Sequence, residues 1–312
     1  MEPAEGLALL AASADGAGRI EGGSFTGIVL DGIRISGFTF AGGTLAGSCK
    51  GTGFSGCAFE GAPLAGADLT GASFDGCRFR GGVFSGATLD GASFSGCEFE
   101  AAVIRGSSLR KATFFSCAFA PSWTLSSANL ASAVFMDSSL GNLTAAESVL
   151  DHSAVRGCSL ASLELTACRG AGMQLTGLVI PSFAAEGSWL PRAAFMNSTL
   201  QGARFKDCVL DGAAFAGADL SGASFTAAAA PKAFFAGAVL RGAHIGGLSA
   251  PYGDFSHADF TGAFCQGADL SGANLHRAAG INPAAAGLEA EGVRLTDPAL
   301  ARAEDFQPTV RW

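Results

Sequence analysis

Charge is scarce in this chain of 312 residues: Asp, Glu, Lys and Arg make up 15% of it, and the 19 basic residues are outnumbered by 27 acidic ones. A surface that neutralises nucleic-acid phosphates needs Lys and Arg concentrated on one side, so direct nucleic-acid binding is not expected. No stretch approaches the roughly 18 consecutive apolar residues of a membrane span. The start, MEPAEGLALLAASADG, lacks a basic leader and a long enough apolar run for a secretory signal. Nine Cys, an odd number, match neither zinc nor thioredoxin spacing. These absences point to a soluble, cytoplasmic protein with free thiols and no membrane partner. No Walker loop, nucleophile elbow or paired-carboxylate arrangement stands out, so neither an enzyme nor a cofactor is expected.

What is abundant is Gly (45 residues), Phe (25) and apolar residues in general (49%). That much apolar surface excludes a disordered chain. It is also strictly spaced. A large apolar residue recurs every fifth position from Ile20 to Leu45, from Phe54 to Phe119, and from Leu125 to Leu275. The frame loses one residue near Cys49 and gains one in APSWTL. It contains 52 five-residue units, 45 of them centred on Leu, Ile, Phe or Val. A small residue stands two before most centres, as at Ala67, Ala72, Cys77, Gly82, Ala87, Ala92 and Cys97. Internal repetition of this kind identifies a solenoid.

The unit is small, polar, Leu or Phe, polar, Gly, with the copies ADLTG (67–71), ADLSG (218–222 and 268–272) and ANLHR (273–277). It resembles the pentapeptide repeat. The resemblance covers about four fifths of the chain and implies an all-β, right-handed quadrilateral β-helix in which four units make one coil of 20 residues. The sequence supports that coil length independently. Cys57, Cys77, Cys97 and Cys117 are spaced by 20, as are Phe59, Phe79, Phe99 and Phe119. Both sets are expected to form structural columns in the core. Zinc wants tetrahedral convergence, which a straight column does not supply, and a buried thiol packs as a small hydrophobe. Glu60/Arg80/Glu100, Arg78/Glu98 and Asp90/Arg110 share the spacing and are expected to pair between coils.

About 13 coils follow, forming a rod on the order of 60 Å long if coils repeat at the usual strand spacing of about 4.8 Å, with short caps at its ends. The expected divisions are an N-terminal cap (1–17), a regular arm (18–139), an irregular segment (140–190), a second regular arm (191–277) and a C-terminal cap (278–312). In the last, TDPALARAEDF reads as a short helix with Thr296 or Asp297 as N-cap. In the irregular segment Leu163, Met173, Leu178 and Phe183 occupy positions that should be small. There the tube is expected to widen, bulge or bend.

With no catalytic constellation, function is sought on the surface. Trp123, Trp189, Phe115, Phe234, Phe264 and Trp312 lie off the central positions, and aromatic residues are favoured interface anchors. Packing beneath a bulge or a cap explains such residues equally well. Acidic candidates are Asp207, Asp211, Asp219, Asp254, Asp259 and Asp269. Asp254, His257 and Asp259 fall together in YGDFSHADF. Leu295, Leu300, Phe306, Val310 and Trp312 offer a homodimer contact or the inside of the cap.

Long Gly/Ala-rich members of the family resemble those that accompany bacterial type VI secretion effectors. The resemblance thus implies a non-enzymatic scaffold or adaptor whose partner is a secretion effector or spike component. Other relatives imitate duplex DNA and bind type II topoisomerases, DNA gyrase or topoisomerase IV, conferring resistance to their poisons. That is the alternative, and a densely acidic face would favour it.

Overall fold

The structure is a computed structural model and describes residues 18–305, apart from 23–25, 43, 62–63, 82 and 286. The expected cap at 1–17 therefore lies outside the described residues. Short parallel strands and single bridges stack into a four-sided tube. Face 1 runs from the strand Val83–Ser85 through Asn142–Ala146 to Phe264. Face 2 runs from Val29 to Glu289, face 3 from Arg34 to Arg294, and face 4 from Gly18 to Ala279. Face 2 carries an unbroken line of bridges over thirteen coil-to-coil steps. Its 19-residue step from Val29 to Ser48 and its 21-residue step from Ser108 to Asn129 absorb the two frame shifts of the sequence.

Each side buries its centre and the small residue two before it, as at Leu69 with Ala67 and Phe74 with Ala72. The unit is five residues long because extended backbone alternates inward and outward and the fifth residue turns the corner. Phe59, Phe79, Phe99 and Phe119 stack with centroids 5.0, 4.7 and 4.3 Å apart. The corner residue takes a positive φ, +66° at Gly71, a region in which only Gly is free of steric cost.

Two kinds of corner occur. From residue 206 to Ala278 every side closes with a backbone bond across the turn, such as Ala213 N–H to Leu210 O at 2.9 Å, and the inward small residue is usually Ala. Earlier in the chain many corners are wider, and a side chain of the next coil supplies the missing bond. The Cys77, Cys97 and Cys117 thiols donate to the Phe54, Phe74 and Phe94 carbonyls at 3.4, 3.4 and 3.6 Å. Ser188 and Ser198 accept from the Cys168 and Leu178 N–H groups at 3.1 and 3.2 Å. The Cys column thus follows from corner geometry: a buried carbonyl without a donor is costly, and a thiol or hydroxyl satisfies it within the volume of a small residue.

The segment 140–190 is irregular in composition more than in backbone. Faces 1, 2 and 3 continue through it without interruption, whereas no bridge joins Ser159 to Val179 on face 4. Its bulky residues exchange roles with the centres. Trp123, Leu143, Leu163 and Phe183 pair in sequence on face 1, and the centres beside Leu143 and Phe183 shrink to Ala145 and Ala185. Interiors are packed to crystal density, and at Leu143 and Phe183 the larger residue at one inward position is offset by a smaller one at the other, whereas Trp123 and Leu163 keep Leu125 and Leu165 beside them. An apolar cavity of about 20 Å³ remains, lined among others by Trp123, Leu143, Leu163 and Met173.

The C-terminal helix is Pro298–Glu304. Asp297 is its N-cap, accepting from Ala299 N at 2.7 Å and Leu300 N at 3.2 Å, while Thr296 instead accepts from Arg277 N at 3.0 Å. No helix among the described residues is long and apolar enough to cross a membrane.

Candidate interaction surface

Surface side chains are set by the coil: the residues before and after each centre point outward, so residues 20 apart line up on one face. Arg78 meets Glu98 at 2.9 Å and Arg80 meets Glu100 at 2.7 Å. The expected pair of Asp90 with the Arg110 side chain does not form. Asp90 instead accepts the Arg110 backbone N–H at 3.0 Å and the Ser108 hydroxyl at 2.5 Å, its short side chain ending at the rungs of the next coil.

Trp123 is corrected as an interaction residue. It is 1% exposed, stacks on Phe119 at 4.3 Å, and donates its indole N–H to the Leu140 carbonyl at 2.9 Å. It stands two before the centre Leu125, which is an inward position whatever the size of its occupant. Trp189, on face 2, is 41% exposed, with the Arg169 guanidinium over its ring at 5.1 Å. Phe115 is exposed on face 3, far along the rod from Trp189. Phe264 is exposed on face 1, stacked on His244 at 4.6 Å. Leu295 and Leu300 are exposed, and Phe306, Val310 and Trp312 lie outside the described residues.

The six aspartates are dispersed. Asp211 and Asp269 are on face 2, Asp254 on face 3, Asp219 and Asp259 on face 4, and Asp207 on a corner. Four of them bond to their own turns: Asp219, Asp254, Asp259 and Asp269 accept the N–H two residues on at 2.9 to 3.0 Å. This is why the repeat favours Asp or Asn before its centre. The Asp259 carboxyl is held down at about 2 by the Thr261 hydroxyl, the Thr261 N–H and the Arg241 guanidinium. A pKa depressed on folding stabilises the protein above the unfolded value of about 3.9, and that contribution is lost as the pH falls through about 2. Between those values Asp259→Asn is expected to flatten the fall in melting temperature relative to the parent; identical profiles would show that the carboxylate is not held this way.

The Cys49 and Cys208 thiols are pushed up by burial, to about 12 and about 11. Cys57 and Cys97 are raised by the adjoining thiols first and by burial second. A raised pKa makes a poor nucleophile, which fits a packing role for these four.

At the C-terminal end, ligand atoms of His257, His276 and Glu304 lie within 4.8 Å of one another. His276 is in the wrong tautomer for a metal. Its Nδ1 accepts the Asp297 backbone N–H at 3.1 Å, so Nε2 carries the proton and donates to Glu304 at 3.2 Å. A metal-bound His instead donates from its second nitrogen. Arg277 Nε is 2.9 Å from the same carboxylate. The cluster fastens the helix to the last coils, and His257 faces Glu304 at 3.5 Å, not the aspartates beside it in sequence.

The surface feature that the candidate residues only partly anticipate is on face 3. Over three successive coils its outward residues are Ala194 and Met196, Ala214 and Ala216, Phe234 and Ala236, with no polar side chain among them. Phe234 is 51% exposed and Met196 37%. The signal is present in the sequence at positions flanking the centres, once these are read 20 apart.

Comparison with known proteins agrees with this geometry. Sequence models described as pentapeptide repeats match residues 64–104 and, in overlapping blocks, 190–226, 218–250 and 247–277. A search among curated proteins finds no match. Among solved structures, a trypsin-treated variant of QnrB1, a plasmid-mediated fluoroquinolone resistance protein, is 20% identical over 78% of this chain and 92% of its own, with a TM-score of 0.29. HetL, a pentapeptide repeat protein involved in heterocyst differentiation regulation from the cyanobacterium Nostoc sp. strain PCC 7120, is 21% identical over 88% and 96%, with a TM-score of 0.26. A PL6 alginate lyase is 8% identical over 95% and 82%, with a TM-score of 0.35. At such TM-scores none of these structures bears on function here. Residues 64–104 and 190–277 are thus pentapeptide repeats by the family models, and the five-residue period and the four-sided tube carry the same architecture through the described chain between and around them.

Proposed function

We infer that this protein is a non-enzymatic scaffold that holds a protein partner against face 3 of its C-terminal arm. The observation that carries this is the apolar row from Ala194 to Ala236, with Phe234 standing out of it. Water-exposed apolar rows on a stiff surface are what protein partners cover, and a protruding aromatic is the usual anchor. The partner we propose, from the resemblance to long Gly/Ala-rich repeat rods, is a bacterial type VI secretion effector or spike component. The compartment is the cytoplasm, where nine free thiols are at home.

The runner-up, a topoisomerase-directed DNA mimic, requires carboxylates gathered on one side, and the six aspartates are spread over three faces and a corner. Affinity capture from the native host with mass spectrometry distinguishes the readings. Secretion components are expected with the parent protein and are expected to be lost with Phe234→Ala combined with Met196→Ala, while Phe115→Ala leaves capture unchanged. Recovery of gyrase or topoisomerase IV subunits would install the runner-up in its place.

A further inference from the structure

Face 4 of the N-terminal arm carries its charge in blocks. One coil turns Arg78 and Arg80 outward and the next turns out Glu98 and Glu100, and strand register holds each Arg beside its Glu. The coils on either side present Ala58 with Glu60 and Ala118 with Ala120. In both ion pairs the Arg donates from Nε alone, at 2.9 and 2.7 Å, to a single carboxylate oxygen, Oε2. The terminal nitrogens of the two guanidinium groups form no hydrogen bond among the described residues, and neither do the Oε1 atoms of Glu98 and Glu100. A guanidinium is a fork of five donors matched to carboxylates, so each pair is half used. The four side chains are 57 to 73% exposed. They border an open groove of about 410 Å³ that is also lined by Thr39, Ala58 and Phe79. The corners flanking the two coils are Gly76 and Gly96 on one side and Gly81 and Ala101 on the other, so no long side chain stands at these four positions.

We propose that face 4 pairs with face 4 of a second copy of this chain, antiparallel, about a two-fold axis lying in the interface at right angles to the rod, midway between the Arg78 coil and the Glu98 coil. Rotation about such an axis keeps each edge of the face on its own side and exchanges a coil above the axis with the coil equally far below. Arg78 therefore meets the partner's Glu98, and Arg80 meets the partner's Glu100. By symmetry each contact occurs twice, as an isologous interface requires. The Nη ends, idle within one chain, face the partner's idle Oε1 atoms, so every Arg keeps its own Glu and gains another. One coil out, Ala58 opposes the partner's Ala118 and Glu60 opposes the partner's Ala120. Beyond them Thr39 opposes the partner's Ser139. No like charges stand directly opposite among these residues. The pattern selects a second copy as the occupant, because two basic positions on one coil with two acidic positions in the same columns of the next are their own complement under this rotation. The inference is independent of the reading of face 3, whose apolar row in the C-terminal arm stays free for its partner.

The footprint is six coils, about 24 Å long at about 4.8 Å per step, on one side of a narrow tube. That size belongs with transient interfaces of less than about 1,200 Å², and its contacts are charged, so association is weak and fades with salt. The test is sedimentation velocity on the full chain from about 1 to about 100 µM, the range of weak association, at low and at physiological salt. A monomer–dimer equilibrium is expected at low salt. Arg78→Glu sets Glu against the partner's Glu98 twice and is expected to weaken it at least about tenfold. Arg78→Glu combined with Glu98→Arg rebuilds both the ladder within the chain and the match between identical copies, and is expected to self-associate like the parent. Mixed with the parent, however, this doubly exchanged protein opposes Glu to Glu and Arg to Arg, and a fluorescently labelled sample is expected to form no mixed dimer. All three proteins should melt alike, because exposed ion pairs contribute little to stability. A monomer throughout at low salt overturns the proposal, as does a dimer indifferent to Arg78→Glu. So does a doubly exchanged protein that pairs with the parent as readily as with itself.

Discussion

Phe94→Asp is expected to abolish the cooperative melt and leave the chain aggregated or proteolytically open. Phe94 is 1% exposed and is sandwiched at 4.7 Å between the parallel rings of Phe74 and Phe114, with Phe99 edge-on at 5.6 Å. Removing its side chain alone should cost about 3 to 5 kcal/mol. The carboxylate adds a desolvation cost, with no Lys or Arg buried among the described residues to offset it. In a solenoid each coil is held chiefly by the coils on either side, so loss of this layer cuts the N-terminal arm in two. Phe94→Leu, which keeps most of the volume, is expected to melt cooperatively with a loss near 1 kcal/mol. Far-ultraviolet melts and size-exclusion chromatography read both outcomes. A soluble Phe94→Asp protein with the parent's melting temperature would mean that the side chain points outward.

The inward register is legible in the sequence because the side-chain direction of an extended backbone is tied to position and the corner comes every fifth residue. Phe59 to Phe119, Arg78 with Glu98, and the two frame shifts all follow from counting. Where size is given more weight than position, the reading goes astray. Trp123 looks like a surface anchor only if a Trp is assumed not to fit where Ala usually sits; its place two before Leu125 already assigns it inward. The recurrence of Cys and Ser among the inward positions up to Cys208, giving way largely to Ala beyond it, marks the change of corner and could be read as such by asking where the corner carbonyls find donors. The apolar row on face 3 needs only the outward positions read at 20-residue spacing. Docking of the C-terminal helix is different in kind. Glu304 reaches His276 and Arg277 across a chain return outside the repeat, and no periodicity encodes that contact. The fate of Asp90 is likewise invisible, because it turns on whether a backbone N–H or a guanidinium arrives first.

Trp123→Ala is the sharper test of that lesson, because it separates two tryptophans that composition treats alike. Where face 1 passes Trp123, the inward pair is Trp123 with Leu125; one coil later it is Leu143 with Ala145, and two coils after that Phe183 with Ala185. The interior volume is shared differently in each layer, and the layers have been fitted to one another. Truncating Trp123 opens a hole beside a cavity already present and strips the Leu140 carbonyl of its indole donor. The expected loss is about 3 to 5 kcal/mol for the volume and about 1 kcal/mol for the hydrogen bond. Trp123→Phe should recover most of the first and none of the second. Trp189→Ala removes an exposed ring and one contact with Arg169, and should change stability by no more than about 1 kcal/mol. Urea denaturation of the three variants measures all of this on one scale. If Trp189→Ala proved the more damaging, the order of inward and outward positions through 121–190 would have to be reversed, and the apolar row on face 3, which is counted from the same frame, would turn inward with it.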